Sequence, residues 1–501
     1  MGMTFHFPLF IIFLPMLASV VMPLLRNSNI ARQITIWVQV VMIGLSLGLT
    51  ASLWNAPVPY FTYLMGYFPS PFGNEIRAGM LEALLAVTFS TVLLFSVLGT
   101  GYDTNKDIIP GKRPLFYCMI NLLNTSLMSL VFTNDIFTAY VFIEVNTLAA
   151  CAIVATKENK DTLKATLKYL LLSVMGSGLF LLSTAFLYAI TGHLLMEPAR
   201  EVISYLVQDG HYHFPLTMTM LLFIVSMAVK SALFPFHTWL PDAHGSATTA
   251  ASALLSGLVL KGYIVMLMKM LYRVYGLETV AALGVFHVLF FFGITGMIAG
   301  SVMACFQTKL KRLIAYSSVA QIGYIFVGMG LDTQGGFTAA SYHIIAHAFT
   351  KSMLFIAAGA LIAASGSYNI ADMTGAARKN KMAGIAFTAG ALSMVGIPLF
   401  AGFVSKFYLA GAAVQGQTSI WITMPVLAVS TFLNGLYYFP VLIRIYSKGD
   451  GASASVAPAC KPAPSFSANF TLVCLMAANI ALGIFFTPLL SALEKGFVWL
   501  G

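Results

Sequence analysis

Charged residues are scarce in this sequence. Only 9% of its 501 residues are Asp, Glu, Lys or Arg, whereas 59% are hydrophobic and the mean hydropathy is +0.86. Soluble domains carry about 25% charged residues, and so few charges could not cover a water-soluble protein of 54.0 kDa. The scarcity excludes a soluble globular protein and predicts an all-α polytopic membrane protein.

Cysteine pairs and nucleotide-binding motifs are also missing. The five cysteines are scattered without a Cys-x-x-Cys pair, and there is no P-loop, GxGxxG turn or basic stripe with interleaved aromatic residues. These absences argue against a disulfide framework, a metal or iron–sulfur site and nucleic-acid binding. We therefore expect no cofactor and no metal in this chain. The cysteines are Cys118, Cys151, Cys305, Cys460 and Cys474.

Apolar runs of about 20 residues recur along the whole chain and predict fourteen membrane spans. No basic residue precedes the first run, so we interpret it as a membrane helix and not as a cleaved signal peptide. The predicted spans lie near residues 5–25, 33–53, 77–100, 114–132, 135–156, 165–191, 216–239, 249–272, 279–303, 310–331, 338–364, 383–410, 420–446 and 467–489.

Basic residues cluster in alternate loops, which predicts the orientation. Eighteen lie in one set of loops and five in the other set or at span ends, so the positive-inside rule places the first set in the cytoplasm and both termini outside. This distribution also explains the net charge of +10 without invoking nucleic acid. The inner set is Arg26, Arg32, Lys106, Lys112, Arg113, Lys157, Lys160, Lys164, Lys168, Lys309, Lys311, Arg312, Arg378, Lys379, Lys381, Arg444, Lys448 and Lys461. The outer set is Arg77, Arg200, Lys269, Arg273 and Lys495.

Five ionisable residues lie deep in apolar runs. They are Glu144, Lys230, Lys261, Lys351 and Lys406, while Glu82 lies nearer the start of its helix. An ionisable group at mid-bilayer costs about 2.5–3.5 kcal/mol on insertion scales. Snorkelling or a structural ion pair would explain one such residue, but a set of five favours a proton path in which neighbouring groups are alternately protonated.

The eleventh predicted span carries a ladder of titratable groups. His343, His347 and Lys351 follow at intervals of four residues, so they share one helix face and cover about 12 Å of its length. Imidazoles titrate near neutral pH, which suits proton transfer. The alternatives are histidines satisfied by backbone carbonyls and, less favoured, a metal site, for which no further ligand lies on that helix.

Two spans carry internal prolines beside a lysine. Lys230 precedes Pro235 and Pro241 in the seventh span, and Pro398 precedes Lys406 in the twelfth. Proline removes a backbone hydrogen bond, so both helices should be broken, and freed carbonyls are tolerated only inside protein or along a watery cavity. Paired breaks predict inverted five-helix repeats in spans 4–8 (about 114–272) and 9–13 (about 279–446), although a single proline could be a packing kink.

Other polar groups admit two interpretations each. His237, Asp242 and His244 follow the first break and could take up protons or satisfy freed backbone groups. Ser317 and Ser318 are typical of helix packing or water lining. The Gly, Ala and Pro-rich stretch at 449–466 predicts a linker.

Four motifs in order resemble a known family. FPFHTWLPDAH followed by SALLSGLVLKGY, LKRLIAYSSVAQIGYI, and HIIAHAFTKSMLFIAAGAL, within residues 110–410, are similar to the antiporter-type membrane subunits of respiratory complex I (NADH:quinone oxidoreductase), Mrp sodium/proton antiporters and energy-converting membrane hydrogenases. GSATTAAS replaces the acidic or proline-containing stretch that many relatives carry after DAH. The end of the chain resembles the shorter subunit types, without the long lateral helix.

The resemblance implies a role for each buried residue. Glu144 matches the fifth-helix glutamate that pairs with the seventh-helix lysine, Lys230, and Lys261 matches the central eighth-helix lysine. The residues His343, His347 and Lys351 match the polar ladder, and Lys406 matches the outward exit. Asp135 fits the family pattern, but it could equally cap the fifth helix.

We therefore expect a single membrane domain that conducts protons within a larger complex. The resemblance implies partner subunits in a membrane, redox cofactors only in those partners, and a driving reaction outside this chain. A redox-driven complex is the favoured setting, an Mrp-type antiporter is the alternative, and a non-conducting scaffold is the third. The scaffold predicts that the buried lysines can be neutralised without loss of transport.

Overall fold

The computed structural model describes residues 4–54, 56, 60–68, 73–210, 212–416, 420–448 and 465–498. Within them, thirteen helices are long and apolar enough to cross a membrane. The twelfth predicted span is present as two shorter helices, so the predicted polytopic helical fold is confirmed. Part of the predicted linker, residues 449–464, lies outside the described residues, as do Cys460 and Lys461.

The helices follow the predicted spans closely. In order, they are Phe7–Val21, Ser28–Trp54, Met80–Gly99, Arg113–Phe132, Ile136–Ala155, Lys160–Thr191, His213–Lys230, Thr249–Tyr275, Val285–Cys305, Leu310–Gly330, Gln334–Ser365, the pair Lys381–Val395 and Ala401–Gln415, Ile420–Tyr446 and Phe466–Ile484. Side-chain caps fix several starts. Asp135, for example, accepts a hydrogen bond from the backbone N–H of Thr138, so it does cap the fifth span.

Some elements were not predicted from the sequence. Strands Tyr60–Leu64 and Glu75–Gly79 form an antiparallel hairpin in which Tyr60 lies opposite Gly79. Helix Met196–Asp209 and helix Phe486–Val498 lie between or after spans. These segments are too short or too polar to be detected as apolar runs of 20 residues.

The spans differ strongly in burial. The most apolar window of the eighth span is 100% buried inside the protein and that of the eleventh is 94% buried, whereas the corresponding windows of the second and fourteenth are 28% and 22% buried. A helix that is apolar all round and enclosed by other helices is a core helix. The eighth and eleventh spans, which carry Lys261 and Lys351, therefore form the centre of the domain.

The chain leaves helical geometry at both predicted breaks. The seventh helix ends at Lys230, and the chain resumes as a 3₁₀ turn at Phe236–Trp239 and a short helix at Leu240–Ser246. The first half of the twelfth span ends at Val395, and the second half begins at Ala401. The predicted relation between the two repeats remains a prediction.

The loops form two distinct faces. At the basic face, Lys157 lies 3.7 Å from Asp107, and Lys309 lies opposite Asn369 in an antiparallel bridge whose hydrogen bonds join Leu310 to Tyr368 and Ile370 to Thr308. At the opposite face, which we call the hairpin face, the strand residue Ile76 pairs with Thr133. The two faces cap opposite ends of the bundle.

Candidate functional site: a row of buried lysines and histidines

Lys230 lies at the break of the seventh span. Its side chain is fully buried, its Nζ donates a hydrogen bond to Oγ1 of Thr147 at 2.9 Å, and Nζ lies 5.5 Å from the centre of the Tyr263 ring. The freed carbonyl of Val229 accepts a hydrogen bond from the indole N–H of Trp239 at 3.1 Å. The break is thus stabilised by side chains, as its position inside the protein requires.

Glu144 and Lys230 are arranged less directly than the resemblance implies. No ion pair within 4.0 Å joins them among the described residues, although they interact electrostatically. Thr147, which binds Lys230, lies three residues after Glu144 on the same helix, and one Glu144 carboxylate oxygen is buried without a hydrogen-bond partner in the described part of the chain. Glu144 therefore acts on Lys230 across a gap that a water molecule could fill.

A tyrosine connects the fifth span to the eighth. The Tyr263 hydroxyl donates to Oδ1 of Asn146 at 3.0 Å and lies 3.5 Å from Oγ1 of Thr147. Lys261 lies two residues before Tyr263. Thr147 and Tyr263 were not predicted from the sequence, because hydroxyl groups are common in membrane helices and gave no signal.

Lys261 lies just after a π-helical turn, Leu255–Val259, in the eighth span. Its side chain is fully buried, and Nζ donates to the carbonyl oxygen of Ser256 in that turn. The Ser256 hydroxyl lies 2.9 Å from that of Ser318 in the tenth span. π-Helical turns are rare and frequent at functional sites, because they leave backbone carbonyls available to side chains.

Lys351 is held by the tenth span. Its Nζ donates to the carbonyl oxygen of Ile314 at 3.0 Å and to the Ser317 hydroxyl, which lies 2.9 Å from the Tyr438 hydroxyl. The serines that allowed two interpretations in the sequence therefore bind buried lysines or their partners. No carboxylate lies within 4.0 Å of Lys351 among the described residues.

The two ladder histidines face each other. The rings of His343 and His347 are 5.7 Å apart and nearly parallel, at 14°, and Nδ1 of His343 lies 2.8 Å from the Ser405 hydroxyl. Ser405 precedes Lys406, so the ladder reaches the second half of the twelfth span. Tyr324 lies between them, with its ring 5.7 Å from that of His343 and 5.0 Å from Nζ of Lys406.

Lys406 binds the end of the broken helix. Its Nζ donates to the carbonyl oxygens of Met394 and Val395, each at 2.9 Å. These are the last carbonyls of the first half of the span, which have no partner within that helix. A lysine at a helix C-terminus also interacts favourably with the helix dipole.

The three residues after the first break have different surroundings. Asp242 forms ion pairs with Lys168 at 2.8 Å and Arg312 at 3.4 Å, so its carboxylate is held by two basic side chains at the basic face. His237 is buried near Tyr316, and His244 is fully buried with its ring stacked on Phe355 at 4.5 Å. Neither ring nitrogen of His244 has a partner in the described part of the chain.

Several buried polar atoms along this row lack a protein partner among the described residues. Buried polar groups are nearly always bonded to protein or to ordered water, so these atoms mark positions where water would lie. Gln321, which was not predicted from the sequence, belongs to this set, and a glutamine in an apolar run was a usable signal. The atoms are Oε1 of Glu144, Nδ1 of His237, both ring nitrogens of His244 and His347, Nε2 of His343 and both amide atoms of Gln321.

A second group of buried charges lies at the hairpin face. Arg273 and Glu82 form a buried ion pair between the eighth and third spans, and Arg77 pairs with Glu197 at 2.5 Å. Lys269 is buried, with Nζ bonded to the carbonyls of Leu130, Val131 and Thr133. The sequence places Lys269 and Arg273 in the outward set of loops and span ends, and the structure has both in the last turns of the eighth span, where they are buried.

Fold and site together define a multi-pass membrane protein whose core encloses a row of lysines and histidines between two broken helices. Residues 133–433 match the family model of the transmembrane region of NADH:quinone oxidoreductase and Mrp antiporter subunits. The chain belongs to this family, as the four sequence motifs predicted.

Curated relatives come from both branches of the family. The chain is 31% identical to NADH-quinone oxidoreductase subunit N of Desulforudis audaxviator, over 94% of this chain and 92% of the relative. It is 27% identical to the D-type subunit of the Na(+)/H(+) antiporter of Alkalihalophilus pseudofirmus, over 79% of this chain and 78% of the relative.

Solved structures have the same fold. A chain of the Mrp complex from Dietzia sp. aligns with a TM-score of 0.86 and 20% identity, covering 100% of this chain and 98% of that one. A chain of an archaeal membrane-bound sulfane sulfur reductase aligns with the same TM-score of 0.86 and 23% identity, covering 98% and 97%.

Proposed function

We propose that this chain is a proton-translocating subunit of a redox-driven ion-pumping complex. The observation that carries the proposal is the row of buried titratable side chains through the core spans, from Lys230 at one helix break to Lys406 at the other. Its lysines are bonded to neutral oxygens, and its histidines have buried ring nitrogens without a hydrogen-bond partner in the described part of the chain.

Neutral partners suit proton exchange. An ammonium bonded to a carbonyl or hydroxyl can release its proton without leaving a buried carboxylate unpaired, whereas breaking a buried ion pair costs about 3–5 kcal/mol. Each lysine in the row can thus alternate between charged and neutral forms as its neighbours change protonation.

This arrangement supports a sequence of transfers whose order is taken from the family resemblance. Glu144 adjusts the proton affinity of Lys230 across the gap beside Thr147, so that movement of the pair loads or unloads Lys230. The proton passes through water to Lys261, then along Lys351, His347 and His343, and leaves at Lys406. No bond other than O–H and N–H bonds is made or broken, and this chain catalyses no redox step.

The setting we propose is the cytoplasmic membrane of a prokaryote. The positive-inside rule places the basic face in the cytoplasm and both termini outside. The energy would come from electron transfer in partner subunits, which would hold the redox cofactors, and further antiporter-like subunits would be neighbours. Similarity to subunit N of an NADH-quinone oxidoreductase, over 94% of this chain, supports this setting.

A Na⁺/H⁺ antiporter is the second candidate. The 27% identity to the D-type subunit of an Na(+)/H(+) antiporter favours it, and the same buried row would serve. Dependence of transport on an electron donor or on a Na⁺ gradient separates the two candidates.

The test is transport of H⁺, with Na⁺ measured in parallel, in proteoliposomes of the intact complex. Lys230→Ala and Lys406→Ala should each reduce H⁺ transport sharply, while assembly is retained. Lys164→Ala, which removes an exposed lysine of the basic face, is the matched control and should transport normally. Normal transport by both core variants would overturn the proposal and favour a scaffold.

A further inference from the structure

The titratable ladder of the eleventh span continues beyond Lys351. Positions 355 and 359 follow Lys351 at intervals of four residues, so the three positions lie on one side of the helix over about 12 Å of its length. The last two positions are Phe355 and Gly359, which have no titratable group. At both positions, a titratable side chain from a neighbouring short helix lies against the eleventh span.

At Phe355, the titratable neighbour is His244. Its ring stacks on the Phe355 ring at 4.5 Å and 18°, one helical turn from Lys351. His244 is fully buried, and both of its ring nitrogens lack partners in the described part of the chain, so they are open to water or to a transferred proton.

At Gly359, the titratable neighbour is Asp103, which lies beside the helix together with Thr249. A Cβ atom built on Gly359 would lie 3.0 Å from Oδ2 of Asp103 and 2.5 Å from Oγ1 of Thr249. Any side chain at residue 359 would therefore displace one of these groups. The missing side chain leaves room for a carboxylate and a hydroxyl against the helix.

Asp103 connects this face to the solvent. It lies on the short helix Gly101–Asp107 at the basic face and is partly exposed, and its neighbour Tyr102 is 47% exposed. Burial raises the pKa of Asp103, against the opposing effects of the Thr249 hydrogen bond and of Lys311. The charges of Asp107 and Lys106 also act on it, in opposite directions.

Two other charged groups at this end of the bundle already have partners. Asp242, the acidic residue after the first break, is held by Lys168 and Arg312. Lys311, a buried cation of the tenth span, donates to the carbonyl of Ala247 at 3.0 Å.

We propose that Asp103 is the proton-uptake carboxyl of the basic face and that it supplies Lys351 through His244. The carboxylate takes a proton from bulk water and becomes the neutral acid. It then gives that proton, by way of the Thr249 hydroxyl or a water, to neutral His244 and returns to the carboxylate. His244 passes the proton to the Lys351 amine. The proposal rests on the proposed function, because it needs a proton path to feed.

The experiment compares Asp103→Asn with Asp107→Asn in the intact complex in proteoliposomes. Both variants remove one carboxylate from the same short helix, but Asp107 pairs with Lys157 away from Gly359. We expect Asp103→Asn to lower the rate of H⁺ transport about tenfold or more, because proton transfer through a positioned group contributes about 10²–10⁴-fold and water would replace part of it. Asp107→Asn should transport normally.

The pH profile separates uptake from a structural role. A carboxylate that collects protons matters most when protons are scarce, so the deficit of Asp103→Asn should grow as the pH on the basic face rises. Asp103→Glu, which keeps the carboxyl, should recover part of the rate, and Gly359→Ala should reproduce the pH-dependent deficit. A deficit that is the same at every pH, or a normal rate in Asp103→Asn, would overturn the proposal.

Lys351→Met, measured in parallel, separates this proposal from the proposed function. If Lys351→Met abolishes transport while Asp103→Asn transports normally, only the uptake proposal fails. If Lys351→Met itself transports normally, the proton row fails, and the uptake proposal fails with it.

Discussion

Two lysines of the eighth span, Lys261 and Lys269, show what decides the role of a buried charge. They lie eight residues apart on one helix, about 12 Å, and both are buried. Nζ of Lys261 binds one carbonyl, that of Ser256, beside a hydroxyl pair. Nζ of Lys269 binds three carbonyls at the end of the fourth span, which use all three of its hydrogens.

The difference lies in how completely each group is satisfied. Lys269 caps a helix end, and its neighbour Arg273 forms an ion pair with Glu82, so these charges are fixed in place. Lys261 has few partners and a polar neighbourhood that can adjust to loss of its charge. Burial alone therefore does not distinguish Lys261 from Lys269, whereas their hydrogen-bond partners do.

The largest effect is expected from breaking the hairpin-face pair. Arg273→Met leaves Glu82 buried without its partner, which should cost about 3–5 kcal/mol of stability. Thermal unfolding of the purified complex and the yield of assembled subunit would measure the loss. The double variant Glu82→Leu/Arg273→Met, which removes both charges, should recover most of it, and a double variant as unstable as the single one would contradict this explanation.

Lys261→Met should separate transport from stability. We expect H⁺ transport to fall about 100-fold, because the relay loses its central group, while the unfolding temperature stays within a few degrees of the original. The rate per assembled complex is the quantity to measure. Transport that persists near the original rate would show that protons bypass Lys261.

Lys269→Met should give the opposite result. The last carbonyls of the fourth span lose their donor, and hydrogen bonds to a charged group contribute about 1.5–3 kcal/mol. We expect lower thermal stability but nearly normal transport per assembled complex. A loss of H⁺ transport larger than the loss of assembled complex would place Lys269 in the proton path. It would contradict the distinction drawn between Lys269 and Lys261.

The smallest effect is expected at the basic face. Burial acts to lower the pKa of Lys157, but Asp107 and Tyr368 outweigh it and raise that pKa above its ordinary value. A raised pKa stabilises the fold below the unfolded-state value, and the contribution is lost as the pH rises through the folded-state value. Lys157→Met should therefore cost less than about 1 kcal/mol at neutral pH and nothing in strong alkali, as measured by unfolding at both pH values.

Much of this fold could be predicted from the sequence because hydropathy is a local property. A run of apolar residues predicts a span wherever it packs, and a proline beside a lysine predicts a break, so the spans and both interruptions were anticipated. The hairpin Tyr60–Leu64 with Glu75–Gly79 was not, because its pairing depends on residues that are separated along the chain.

The residues of the candidate site were identified from their type and depth in apolar runs. Their partners were not, since Thr147, Ser256, Tyr324 and Ser405 carry common side chains whose importance comes only from what they touch. The sequence assigned Arg273 to a span end. It could not show the ion pair with Glu82, because Glu82 lies on another helix that is distant in the chain.

The sequence by itself determined that this chain crosses a membrane many times, which family it resembles, and which ionisable residues are placed at a cost inside the bilayer. Only the tertiary structure decided which buried charges are held by an ion pair or by several carbonyls and which have few partners. The physical reason is that hydropathy and helix periodicity act over a few neighbouring residues, whereas the partners of a buried charge come from helices that are distant in the chain.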